Sequence, residues 1–271
     1  MNKWILGARP RTLPAAIAPV VVATALAGPD WNWFRAALAL KVGVWLQIAV
    51  NYANDYSDGV KGTDANRIGP TRLVASGLAT AKQVKMAAFI SFGIASIAGI
   101  WLSLLTSPLL LIVGIAKNPY GYSGLGEASV FIFFGLTATV GTFYTQTGHV
   151  TFLSILCAIP MGALACSILA VNNIRDRAQD ELVGKNTLAV RLGDKRARLG
   201  FVSLLVLAHL AAIATLIPTA LLTLVAIPLT FSISRAVLSG TTGPALIPLL
   251  GKTGKLQMLF ATLFAIGLAI H

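Results

Sequence analysis

Charge is the scarcest resource in this 271-residue chain: Asp, Glu, Lys and Arg together make up 11% of it, where a soluble domain carries about a quarter. A soluble globular protein is therefore excluded, and a membrane protein of several spans is favoured, since 56% of the residues are apolar. Cysteine is almost missing. Cys157 and Cys166 share one apolar stretch, and nine helical residues place them about 13 Å apart along the axis, too far to bridge. They form neither a disulfide framework nor a zinc site, and the isolated His149, His209 and His271 lack metal-ligand spacing. There is no Gly-rich nucleotide loop and no Ser/His/Asp constellation, which argues against ATP and acyl-transfer chemistry.

Acidic residues are scarcer still, nine against 21 Lys and Arg, for a formal net charge of +12. Such an excess can mark a nucleic-acid binder, but that needs a basic solvent-exposed face, and here the basic residues lie in loops between apolar stretches. Membrane orientation explains it instead, because cytoplasmic loops accumulate Lys and Arg. Apolar spans are expected over 13–28, 33–54, 84–106, 128–147, 151–173, 199–216, 217–238 and 256–270, with a short ninth helix over 108–116. The ninth is needed for parity: with it, the N-terminus and the loops at 55–83, 117–127, 174–198 and 239–255 share one side. That side then holds every Lys and Arg except Arg35 and Lys41. Nine residues rise only about 13.5 Å, less than half of a hydrocarbon core of about 30 Å, so the short helix is anomalous. The N-terminal apolar run ending near Ala27 superficially suits a cleaved signal, but it is long enough to remain as a span. The expected fold is all-α: about nine transmembrane helices around a central cavity, one domain over 1–271, with the N-terminus and active-site loops cytoplasmic.

What acid there is lies clustered. Asp55, Asp58 and Asp64 follow the second span, and Asp176 and Asp180 the sixth, so two short segments hold five of the nine acidic residues. Asp55 and Asp58 are three apart and Asp176 and Asp180 four apart, which puts each pair on one helical face. Crowded carboxylates repel unless a cation lies between them, and Mg²⁺ commonly joins a few carboxylates to substrate phosphates. Asn54, Asn172 and Asn173 stand beside them as further oxygen donors. Solvated loop acids are the bland alternative, but two matched pairs at membrane depth, each with Asn and basic neighbours, favour a metal–diphosphate site. A cation-coupled transporter would place its acids near the bilayer midplane, commonly on broken helices, not at one end.

These residues resemble the paired motifs of the UbiA-type intramembrane aromatic prenyltransferases. Asn54, Asp55, Asp58, Gly62 and Asp64 match N-D-x-x-D-x-x-x-G-x-D, and Asp176 and Asp180 match D-x-x-x-D. Segments 8–14, 69–77, 120–127, 172–180 and 184–193 are most similar to the branch acting on 1,4-dihydroxy-2-naphthoate, although the fourth helix of that branch is full length. The resemblance implies Mg²⁺ on Asp55 and Asp58, supported by Asn54 and Asp64, and a second Mg²⁺ on Asp176 and Asp180. Lys185 and Arg72 become candidates for contacts to a polyprenyl diphosphate, with Asn172, Asn173 and Arg191 further substrate-binding candidates. Tyr52, Tyr56, Tyr120 and Tyr122 are candidates to shield an allylic cation with their ring faces. The implied reaction moves a polyprenyl group onto 1,4-dihydroxy-2-naphthoate with loss of CO₂ and diphosphate, giving demethylmenaquinone for menaquinone biosynthesis in a bacterial inner membrane. 4-Hydroxybenzoate is the alternative acceptor. Replacing Asp55 or Asp176 by Ala is expected to abolish transfer at little cost in packing.

Overall fold

The computed structural model describes residues 2–61, 71–107 and 125–271, all helices and connecting turns with no strand among them. The helices are α1 (Lys3–Ala8), α2 (Pro14–Leu26), α3 (Trp33–Lys61), α4 (Ala81–Leu105), α5 (Gly126–Thr147), α6 (Phe152–Leu182), α7 (Leu188–Ile213), α8 (Pro218–Leu238) and α9 (Ile247–Ala269). Helices α3 through α8 have the length and apolar composition to cross a bilayer, whereas α2 is a shorter apolar helix of 13 residues. The protein is thus an integral membrane protein. Segment 108–116, on which the count of nine depends, lies outside the described residues.

Helix α6 is the axis of the bundle. Of its most apolar window 67% is buried, against 22% for α3. Between lipid-like surfaces no water is expelled, so close van der Waals fit must hold helices together, and small residues permit it. Accordingly α6 buries Ala158, Gly162, Ala163, Ala165, Cys166 and Ser167, and packs against α2, α5, α7 and α9. The crossing with α5 is close, and a Cβ on Gly135 would stand 2.6 Å from the Cα of Gly162. Gly135 belongs to a π-helical stretch, Phe131–Thr137, inside α5. Such bulges re-aim side chains and recur at functional sites. The outer face of α4 is the opposite kind of surface: Phe89, Ile90, Ile97, Trp101 and Leu104 are exposed, as lipid-facing residues should be.

Antiparallel pairing fixes which helix ends meet. Tyr52 near the end of α3 packs with Val84 and Ala88 at the start of α4, and Leu38 near the start of α3 packs with Ala98 and Leu102. Helix α4 therefore ends far from the acidic end of α3, while α5 begins beside it. Arg35, near the start of α3, donates to the carbonyls of Thr145 and Gln146 at 3.1 and 3.3 Å. It caps the C-terminus of α5, where helix carbonyls lack partners and the dipole favours a cation.

Gly135→Ala should lower stability by about 1–3 kcal/mol, because the added methyl meets backbone that cannot yield. Gly141→Ala, on the same helix with nothing within 4 Å of its Cβ, should leave melting unchanged or slightly raised. Thermal unfolding of both variants in detergent checks this.

Candidate active site

A cavity of about 500 Å³ opens among the C-terminal ends of α3 and α6 and the N-terminal ends of α5, α7 and α9. Its wall includes Asn51, Asn54, Asp58 and Arg72 from the first acidic region, and Asn172, Asn173 and Lys185 from the second. Segments 100 or more residues apart in sequence thus border one space. Beyond this polar rim, Val130, Phe134, Ala165, Ile168 and Leu169 make an apolar wall, so the cavity is polar at one part and greasy at the other.

Helix geometry divides the first cluster by direction. Asn51, Asn54 and Asp58 follow one another at helical spacing and face the cavity. Asp55 faces elsewhere: it is fully buried, and its carboxylate accepts from the backbone N–H groups of Leu73 and Val74 at 2.8 and 3.1 Å. Gly59 gives the incoming turn its room, since a Cβ there would stand 2.5 Å from Val74 Cγ1. The clamped turn carries Arg72, whose Nη2 lies 3.0 Å from Asp58 Oδ2. Asp55 thus helps to place the cation that faces its motif partner, a role spacing alone did not reveal. The expectation that removing Asp55 costs little packing is corrected: a buried N–H and a partly buried one would lose their acceptor.

In the second cluster Arg175 lies along Asp176 in a two-point pair, Nε to Oδ1 and Nη2 to Oδ2 both 2.7 Å, and also donates to Asn172 at 2.7 Å. Both members of the pair are buried. Asp180 lies 3.8 Å from Lys185 Nζ, and the Lys185 N–H donates to the Asp180 carbonyl at 2.8 Å. That fold-back needs Gly184, which has a φ of +71° where a side chain would be strained. Thr187, which lines the cavity, then caps α7 by accepting from the Val190 N–H. The second segment thus meets the cavity through Asn172, Asn173 and Lys185, while Asp176 and Asp180 are buried behind that lining, each beside a basic residue. Among the described residues no three His, Cys, Asp or Glu side chains converge into a ready-made metal cluster. The donors present are all hard oxygens, the ligands that suit Mg²⁺ and not a soft metal.

Several candidates fall elsewhere. Tyr52 donates its hydroxyl to the Trp4 carbonyl at 2.7 Å and meets the Trp4 ring edge-on, so it ties α1 to α3 and does not line the cavity. Tyr56 also stands outside the lining, with Lys85 Nζ 5.6 Å from its ring. Arg191 is exposed on α7, outside the lining. Asp64, Tyr120 and Tyr122 lie outside the described residues. Conversely, the cavity draws in Arg9, Arg11, Thr12, Gln47 and Glu127, none of which spacing had singled out. Arg9 has a φ of +53°, uncommon for a side-chain-bearing residue, and the turn is held by Asn51 Nδ2, which donates to the Ala8 carbonyl at 2.9 Å and to Thr12 Oγ1 at 3.1 Å. A Cβ on Gly254 of α9 would stand 2.8 Å from the Arg11 carbonyl, so that glycine lets the turn dock. The signal available in sequence was Arg-Pro-Arg just before an apolar span, and for Glu127 an acid opening one.

The chain matches the model of the UbiA prenyltransferase family over residues 16–246. It is 45% identical to the 1,4-dihydroxy-2-naphthoate octaprenyltransferase of Mycobacterium tuberculosis, across 98% of this chain and 97% of that protein. With the enzyme of the same name from Escherichia coli it shares 36% identity across 98% and 94%. Its backbone resembles that of a UbiA homologue from Archaeoglobus fulgidus bound to GPP and Mg²⁺, with a TM-score of 0.63, 15% identity and all of both chains covered.

Asp55→Ala should lower stability by about 1–3 kcal/mol, the cost of leaving buried donors unsatisfied. Asn54→Ala, on the exposed cavity wall, should shift the melting point little. Equal melting points for the two variants would contradict the clamp.

Proposed function

The chain belongs to the UbiA prenyltransferase family, and on that premise we propose that it transfers a polyprenyl group from its diphosphate to 1,4-dihydroxy-2-naphthoate. Diphosphate and CO₂ leave, and the product is demethylmenaquinone in its reduced form, a step of menaquinone biosynthesis. The observation that carries this reading is a single cavity bordered by both acidic segments, in a chain highly similar along its length to naphthoate octaprenyltransferases.

The two-part lining suits a two-part donor. The apolar wall of Val130, Phe134, Ala165, Ile168 and Leu169 accommodates hydrocarbon, while Arg72 and Lys185 collect the charge of the diphosphate. Mg²⁺ would be held by Asp55 and Asp58, with Asn54 and Asp64 in support, and by Asp176 and Asp180; when bound it supplies positive charge to the departing diphosphate. For Asp55 and Asp176 this role asks the carboxylate to serve a ligand besides its present partners, and a carboxylate has lone pairs for both. Arg72 and Arg175 then remain beside the acids as counter-charges that keep the site from becoming strongly anionic. Packing through Gly135 and Gly162 brings α5 against α6 behind the apolar wall, and an apolar wall disfavours water near the allylic carbon as its bond to oxygen weakens. The ring π electrons attack that carbon, and loss of the ring carboxylate as CO₂ restores aromaticity.

Sidedness follows from charge. The cavity end carries the N-terminal Lys3, Arg9 and Arg11 together with Arg72, Arg175 and Lys185, which favours a cytoplasmic active site in a bacterial inner membrane. One domain over 1–271 accommodates the whole reaction.

Purified protein given a polyprenyl diphosphate and either 1,4-dihydroxy-2-naphthoate or 4-hydroxybenzoate tests the reading. Prenylation with CO₂ release from the naphthoate, lost with EDTA and restored by Mg²⁺, is expected. Turnover of hydroxybenzoate alone, or transfer indifferent to EDTA, would overturn the acceptor and the metal respectively.

A further inference from the structure

Glu127 belongs to neither acidic motif, yet it stands in the cavity wall at the first turn of α5. Its Oε1 accepts from Asn173 Nδ2 at 2.9 Å, while Oε2 is buried with no hydrogen-bond partner among the described residues. Burying an acceptor unpaired is costly, and native folds retain such groups where a ligand completes them. The first turn of a helix favours a negative charge, and Glu127 stands there.

We propose that Glu127 binds the aromatic acceptor, with Oε2 accepting a hydrogen bond from a ring hydroxyl. This rests on the prenyl-transfer reading above and extends it to the acceptor's seat. Two features separate Glu127 from the diphosphate site. Asp58, Asp176 and Asp180 each lie beside a basic side chain, Arg72, Arg175 and Lys185 respectively, whereas no salt bridge reaches Glu127 among the described residues. A carboxylate without a counter-cation repels diphosphate and suits a neutral O–H donor. The second feature is position. Glu127 stands between Val130 and Phe134, of the apolar wall, and Asn173, of the polar rim. The bond between hydrocarbon and diphosphate belongs at that border, and the attacking ring must reach it.

The contact would also assist the chemistry. A hydroxyl donating to a carboxylate feeds electron density into its ring. As the ring carbon bonds to the allylic carbon, the C–O bond breaks and its pair leaves with diphosphate. The ring–carboxylate bond then breaks, its pair returns to the ring, and CO₂ departs. The hydroxyl keeps its proton throughout, so no acid or base is consumed.

The test is steady-state kinetics of wild type and Glu127→Gln with the two acceptors, and of wild type with the 1- and 4-O-methyl ethers of the naphthoate. Gln should lower kcat/KM for the acceptor by about 10- to 100-fold, the worth of a hydrogen bond to a charged group. The KM for polyprenyl diphosphate should stay within about twofold, since uniform damage to the site would move both. One of the methyl ethers should be a correspondingly poor substrate of the wild type, a result that needs no variant to fold. Unchanged acceptor kinetics in Glu127→Gln, a loss confined to the diphosphate KM, or both ethers turned over as well as the parent would each overturn the proposal. A wrong acceptor appears instead as a preference of the wild type, and the variant-to-wild-type ratio on the preferred acceptor still reads Glu127.

Discussion

A buried carboxylate at the end of an apolar bundle needs a compensating partner, and that requirement organises this protein. Removing a charge from water is far more expensive than any single apolar contact can offset, so each such group must find a cation or donors. Asp55 takes two backbone N–H groups, Asp58 takes Arg72, Asp176 takes Arg175 on both oxygens, and Asp180 lies near Lys185. These pairings dock the 71–76 turn on α3 and fold the chain back after α6. The groups that suit the chemistry thus also hold the ends of the two helices in place.

The rest of the bundle serves that convergence. Gly135 and Gly162 bring α5 against α6 and so place Glu127 beside Asn173. The turn at Arg9 to Thr12, held by Asn51 and seated over Gly254, closes another side of the same space. A cavity with a cationic, oxygen-rich rim and a hydrocarbon wall results, matching a substrate with a charged head and a greasy tail.

Much of this was legible beforehand, because bilayer thickness and charge asymmetry are one-dimensional constraints. Apolar runs located the six helices long and apolar enough to cross a bilayer. The acid pairs were legible because so few acids occur elsewhere. Direction around a helix was not. Asp55 and Asp58 share a face in a spacing argument, yet the approach of the 71–76 turn separates them, one to the clamp and one to the cavity. Tyr52 and Tyr56 were chosen for proximity in sequence, but aromatic rings pack where neighbours allow, and Trp4 and Lys85 drew them outward. Glu127 was overlooked because a lone acid has no spacing to read; only its orphaned oxygen and its place in the wall distinguish it.

Whether the two acidic segments act on one diphosphate is the central claim, and energetic coupling measures it most directly. Mg²⁺-dependent binding of a non-reactive polyprenyl diphosphate analogue should be compared for wild type, Asp58→Asn, Asp180→Asn and the double variant. Groups that share a ligand give losses that do not add. A double variant binding no more weakly than the poorer single one is predicted; fully additive losses would mean that the clusters work independently, contradicting the account.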